Sequence, residues 1–228
     1  KWYGPDNQAI VVVGDIDVDA IEAKIKALWA DVPARENRGE RPLYSVDDNQ
    51  EPIIAVVTDN EAQVTRIELT YKKQPLPREL RGTDVAYVVD IANSLICDMF
   101  DHRVEELSMD PNASFVGGGS YYGELVKEKD QFLAGFTNAE LERVKTEKLA
   151  AYEKYYNERN TNRNISYTQE YIRHFLDGEV IPGIAWEYET LQQLLPMLDI
   201  TSINGMAQQL VTDENVIVSI TAPDNADL

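Results

Sequence analysis

The sequence predicts an α+β domain, with helices packed on one face of a mostly antiparallel sheet. Three observations carry this. Strand-like and helical stretches come in groups: strands, one long helix, a strand, several helices and a last strand. Residues 66–72 alternate apolar and polar side chains, the pattern of a half-exposed strand. The helical stretches carry one-sided apolar stripes, each of which needs a surface to cover it.

The chain opens on a dense turn signal, Gly4-Pro5-Asp6-Asn7. Ala9 to Val13 is a short β-branched run that reads as a strand buried on both faces. Gly14 breaks it, and Asp15 or Asp17 can cap a helix over Val18 to Ala30. That helix carries Ile21, Ile25, Leu28 and Trp29 on one side and ends at Pro33. Glu36 to Gln50 is polar and reads as a linker. Pro52 to Thr58 is the next strand, dominated by Ile53, Ile54, Val56 and Val57. Ile67, Leu69 and Tyr71 mark another, broken by Pro75-Leu76-Pro77.

A long helix is predicted over Thr83 to Leu107, with Val85, Val88, Ala92, Leu95, Ile96, Met99 and Leu107 on one stripe. Phe115 to Leu125 reads as a strand softened by Gly117, Gly118 and Gly119. Thr137 and Glu140 form a capping box that starts a helix running to Tyr156, its buried face built from Leu141, Val144, Leu149, Tyr152 and Tyr155. A helix over Ser166 to Leu176 stops at Gly178. Two shorter ones cover Trp186 to Leu195 and Ser202 to Leu210, the second capped by Thr201. Val216 to Thr221 is the last strand, ended by Pro223.

The 228 residues carry a net charge of −19, with 43% apolar side chains. Such a surface repels phosphate backbones, which argues against nucleic-acid binding. No apolar run reaches membrane-spanning length. With one cysteine, Cys97, no internal disulfide forms, and cysteine usage does not decide the compartment. A chain that opens on a turn and a strand without Met reads as a piece of a longer protein.

The opening, Tyr3-Gly4-Pro5-Asp6-Asn7 followed by an apolar strand and Gly14-Asp15, resembles the Tyr-x-Pro-x-Asn, strand, Gly-Asp signature of the M16 (pitrilysin/insulinase) metallopeptidases. Trp29-Ala30-Asp31-Val32-Pro33 stands where that family ends its helix. Met99 to Leu107 resembles its L-x-x-R-L-x-E-L stretch, with Arg103 on the Arg and Glu106-Leu107 on the Glu-Leu. Gly135 to Lys145 is similar to its G-x-T-x-x-E-L-x-x-A-K. The resemblance runs over nearly the whole chain. It implies a LuxS/MPP-like metallohydrolase fold and the non-catalytic domain that follows the zinc-binding one. Residues 1–45 would complete the sheet of that preceding zinc domain, and 46–228 would be the non-catalytic domain. The implied function is a substrate-chamber domain of a bacterial zinc metallopeptidase that hydrolyses peptides. The alternative is a binding or assembly subunit from a catalytically inactive relative. The implied partners are the preceding zinc domain and a peptide, and the bacterial periplasm is favoured over the cytoplasm.

Two departures stand out. Where many relatives place a substrate-contacting Arg and Tyr, this chain has Ser108 and Phe115. Between Leu133 and Ala134 a strand–helix piece of roughly 30 residues, one supersecondary unit, is missing. The residues expected to face substrate are Arg103, Ser108, Phe115 and Gly118.

No catalytic or metal-binding residue is expected in this chain, and zinc is expected only in the parent enzyme. The family's zinc motif needs two His one helical turn apart with a Glu between them. The only two histidines are His102 and His174. His102 with Glu105 and Glu106 offers three donors. A surface helix with i,i+3 and i,i+4 ion pairs explains the same residues more simply. Gly117-Gly118-Gly119-Ser120 lacks the Lys and the following helix of a phosphate loop. It reads better as a sheet edge able to accept an extended peptide.

Overall fold

The computed structural model describes residues 4–33, 46–74, 76–120 and 135–224. Its elements are α1 (Val18–Leu28), β1 (Ile53–Asp59), β2 (Arg66–Tyr71), the single turn α2 (Arg78–Arg81), α3 (Asp84–Ser108), α4 (Asn138–Asn157), α5 (Asn164–Asp177), α6 (Ile184–Leu194), α7 (Ile200–Leu210) and β3 (Val216–Pro223). Short 3-10 turns cover Pro5–Asn7 and Leu195–Met197.

The sheet departs from the expected layout. It has three strands in the order β1-β3-β2. The last strand lies in the middle, parallel to β1 with Ile53 opposite Ile217, and antiparallel to β2 with Leu69 opposite Val218. A pair of asparagines fixes this. Asn215 holds φ at 63°, a conformation its short polar side chain tolerates. Its N–H donates to the Asn49 carbonyl at 2.8 Å, and its side chain accepts from the Asn49 N–H at 2.9 Å. Asn49 Nδ2 donates to the carbonyls of Glu51 and Val216. The starts of β1 and β3 are thereby tied together, so the two strands run in the same direction.

Helices dominate: they hold 52% of the described residues against 11% in strands. The expected sheet-dominated, LuxS/MPP-like layer with helices on one face is therefore corrected to a mostly helical α+β fold with a small, open, mixed sheet. The physical reason is where the apolar residues go. The fully buried side chains are Leu95, Ile96 and Met99 on α3, Leu141 and Val144 on α4, Leu191 on α6 and Ile203 on α7. These helices bury their stripes against one another. β1, by contrast, is exposed along its whole length, with Ile54 65% exposed.

Most helices start and stop as the sequence predicts. Thr83 caps α3, Thr137 caps α4 with Glu140 closing the box, and Gly178 ends α5 at φ 79°. α7 is capped two residues earlier than expected. Asp199 accepts from the N–H groups of Thr201 and Ser202 at 2.9 and 3.0 Å, so Thr201 lies inside the helix. Residues 8–13 form no strand among the described residues, and Ile10 and Val12 are 49% and 48% exposed rather than buried on both faces. Residues 115–120, the start of the Gly-softened strand, are bends and irregular backbone, and the rest of that predicted strand lies outside the described residues, as do Lys1 to Tyr3, most of the linker and the Leu133–Ala134 junction. α1 is capped by Asp17 and buries none of its residues.

Candidate functional site

The residues that the sequence singled out lie at the C-terminal half of α3 and in the segment after it. α4 runs antiparallel to α3, and a ladder of ion pairs ties the two. Lys148 Nζ meets Asp98 at 2.6 Å, His102 Nε2 meets Glu147 at 3.2 Å, Arg143 meets Glu106 at 3.6 Å, and Arg103 meets Glu140. The expected pairs along α3 are thus replaced by pairs across to α4. Apart from Val85, which is 66% exposed, the predicted stripe lies on the side of α3 that faces the core, which leaves the polar flank for the neighbouring helix.

Arg103 is the anchor. Its Nε donates to Glu140 Oε1 at 2.5 Å, and its Nη2 donates to Glu140 Oε2 and to the Gly135 carbonyl, both at 2.9 Å. The guanidinium sits 4.5 Å from the centre of the Phe136 ring. Glu140 also accepts from Thr137 N–H and Oγ1 at 2.7 and 2.8 Å. The Arg103 hydrogen bonds first, and then those from Thr137, hold the Glu140 carboxyl down at about 2, against the opposing effect of burial. Gly135 lies at φ 79°, and the Asn204 side chain brackets the next residue, accepting from Phe136 N–H at 2.7 Å and donating to its carbonyl at 2.9 Å. The segment entering α4 is therefore fastened to α3 by Arg103 and to α7 by Asn204.

Residues 115–120 lie back against α3. Phe115 is half-buried and packs on the core. A Cβ at Gly118 would come within 3.2 Å of Val104 Cγ1, so glycine permits the close approach there. Ser120 donates to Asp101 Oδ1 through its N–H at 2.5 Å and its hydroxyl at 2.8 Å. Burial raises the Asp101 carboxyl above the usual range, and these two bonds oppose it. Burial likewise raises the Cys97 thiol, which suits an inert core side chain.

The four expected substrate-facing residues differ in their surroundings. Arg103 is committed to Glu140, Gly135 and Phe136. Ser108 returns its hydroxyl to the Glu105 carbonyl at 2.7 Å. Phe115 faces the core, and Gly118 is exposed at the surface of the segment. Asp101 and Asn204 were not legible as site residues, because a lone Asp or Asn on a helix reads as solvated surface.

The zinc implied by the family resemblance finds no fitting donor set in this part of the chain. His102 already faces Glu147, and Glu106 turns to Arg143. His174 lies on α5, its Nδ1 at 2.5 Å from the Glu179 carbonyl. Among the described residues no group of three His, Cys, Asp or Glu is placed to hold a metal ion. No helix is long and apolar enough to cross a membrane among those residues.

Comparison with known proteins fits this geometry. The family model described as the peptidase M16 inactive domain matches residues 1–128. A protein from Arabidopsis thaliana named "Zinc protease PQQL-like" is 25% identical over 227 residues, which is 99% of this chain and 23% of that protein. The first half of the periplasmic protease PqqL from Escherichia coli superposes with a TM-score of 0.77 at 18% identity, over 98% of this chain and 53% of that one. The longer PqqL structure gives 0.78 at 19% identity, over 96% of this chain and 27% of that one. The chain therefore spans about a quarter of the length of the curated relative.

Proposed function

The chain belongs to the peptidase M16 inactive-domain family, and from that premise we propose that it forms a non-catalytic wall of the substrate chamber in a zinc metallopeptidase. The observation that carries this reading is the inactive-domain match together with the whole-length likeness to a protein named as a zinc protease. The geometry supports it. Both histidines are engaged in contacts of their own, and the α3–α4 ladder is built to hold helices in place.

In this reading a metal-activated water in the preceding domain cleaves the peptide. Residues 1–45 belong structurally to that zinc domain, and 46–228 shape and orient the bound chain. α1, with no buried residue and Trp29 51% exposed, suits an element whose packing partner lies elsewhere. The segment carrying Phe115 and Gly118 supplies the substrate-facing rim, with Ser108 beside it, and Arg103 holds that rim's supporting helix. The periplasm is the proposed compartment, by analogy with the PqqL structures.

The test uses the full-length protein. With His102 and His174 both changed to Ala, zinc measured by elemental analysis stays at about one per chain and peptide cleavage is unchanged. Loss of the zinc in this double variant, with folding intact by circular dichroism, refutes the assignment.

A further inference from the structure

We infer that the apolar face of α5 is the docking surface for the zinc-binding domain of the same polypeptide. This rests on the domain reading above and extends it to a specific surface. At 100° per residue, Ile165, Tyr171, Ile172, Phe175 and Leu176 share one side of α5. Ile165, Tyr171, Phe175 and Leu176 are 58, 45, 42 and 47% exposed, and Val180 continues the patch just past the helix. A helix with such a stripe in water is unusual for a finished surface.

Two observations select the occupant. First, the helix that carries the patch abuts the unit assigned to the zinc domain. A Cβ on Gly14 would lie 3.8 Å from Nδ2 of Asn164, the first residue of α5, so the backbone that feeds α1 abuts the start of this helix. α1 and its C-cap carry uncovered apolar side chains of their own, Val18, Leu28 and Trp29. Second, this chain fills 53% of the PqqL first-half structure, so about as much further chain belongs to the same half of that relative. A second copy of this chain is the poorer fit, because two surfaces of net charge −19 repel.

The experiment is hydroxyl-radical footprinting of the full-length protein at a concentration where light scattering shows monomer. Rates are calibrated on free tyrosine and tryptophan amides. Tyr171 is expected to oxidise at least fivefold more slowly than its 45% exposure implies, and Trp29 is expected to be protected too. Phe175→Asp should restore Tyr171 oxidation without changing zinc content. Protection of Trp29 with full reactivity at Tyr171 overturns the docking face and leaves the domain reading standing. Full reactivity at both overturns the two together. Protection of Tyr171 that appears only as concentration rises assigns the face to a second copy and overturns the inference.

Discussion

Changing Glu140 to Gln tests whether one carboxylate organises the α3–α4 junction. The wild-type side chain accepts two bonds from Arg103 and two from Thr137. Gln keeps one acceptor oxygen and no charge, and it leaves the guanidinium above Phe136 without its counter-ion. The carboxyl is lowered from 4.5 to about 2, which at about 1.4 kcal/mol per unit sets an upper bound of roughly 3.4 kcal/mol. Both side chains retain some solvent, 20% exposed for Arg103 and 28% for Glu140. Screening reduces the contribution to about 2 kcal/mol. The sign follows from the depressed value. The stabilisation is complete above the unfolded-state carboxylate range and is lost as the pH falls toward about 2. Urea unfolding at pH 7 should therefore show Glu140→Gln less stable by about 2 kcal/mol, and at pH 3.5 that gap should shrink by about half. A gap below about 0.5 kcal/mol at pH 7, or one that does not change with pH, refutes the reasoning.

Two further substitutions probe the backbone. Gly135→Ala places a Cβ 3.2 Å from Asn204 Oδ1 at a φ of 79°, and should lower stability by about 1–2 kcal/mol in thermal melts. Gly118→Ala and Gly117→Ala make a matched pair: the first meets Val104 at 3.2 Å and the second meets nothing within 4 Å. Only Gly118→Ala should destabilise, by up to about 1 kcal/mol, with Gly117→Ala neutral or slightly stabilising; equal effects would show that residues 117–118 do not lie against α3.

The local signals were legible because they are written in residues close together. The Thr137–Glu140 box and the Gly178 stop each involve residues within a few positions of one another, and both stand as read; β2 forms where the alternation places a strand, but residues 67–71 are all half-buried, so its burial does not alternate. What the sequence hid was pairing across distance. Arg103 and Glu140 are 37 positions apart, and neither residue says on its own that the other is its counter-ion. Local reading gave them to different devices, a family motif on one helix and a cap on the next. The structure makes them one device.

The sheet illustrates the same limit at larger scale. Ile53, Ile54, Val56 and Val57 read correctly as a strand, but an apolar run carries no label for its neighbour or its direction. The parallel alignment of β1 with β3 comes from Asn49 and Asn215, two polar residues outside both strands and 166 positions apart. With β3 placed centrally, β2 takes its other edge and β1 is left at the border with its side chains in solvent. This apolar run thus lies at the periphery, while the core passes to α3, α4, α6 and α7. An apolar run reports that a segment needs covering; β1 and α5 both leave such runs exposed, and the footprint of Tyr171 proposed above tests whether a further domain supplies the cover for α5.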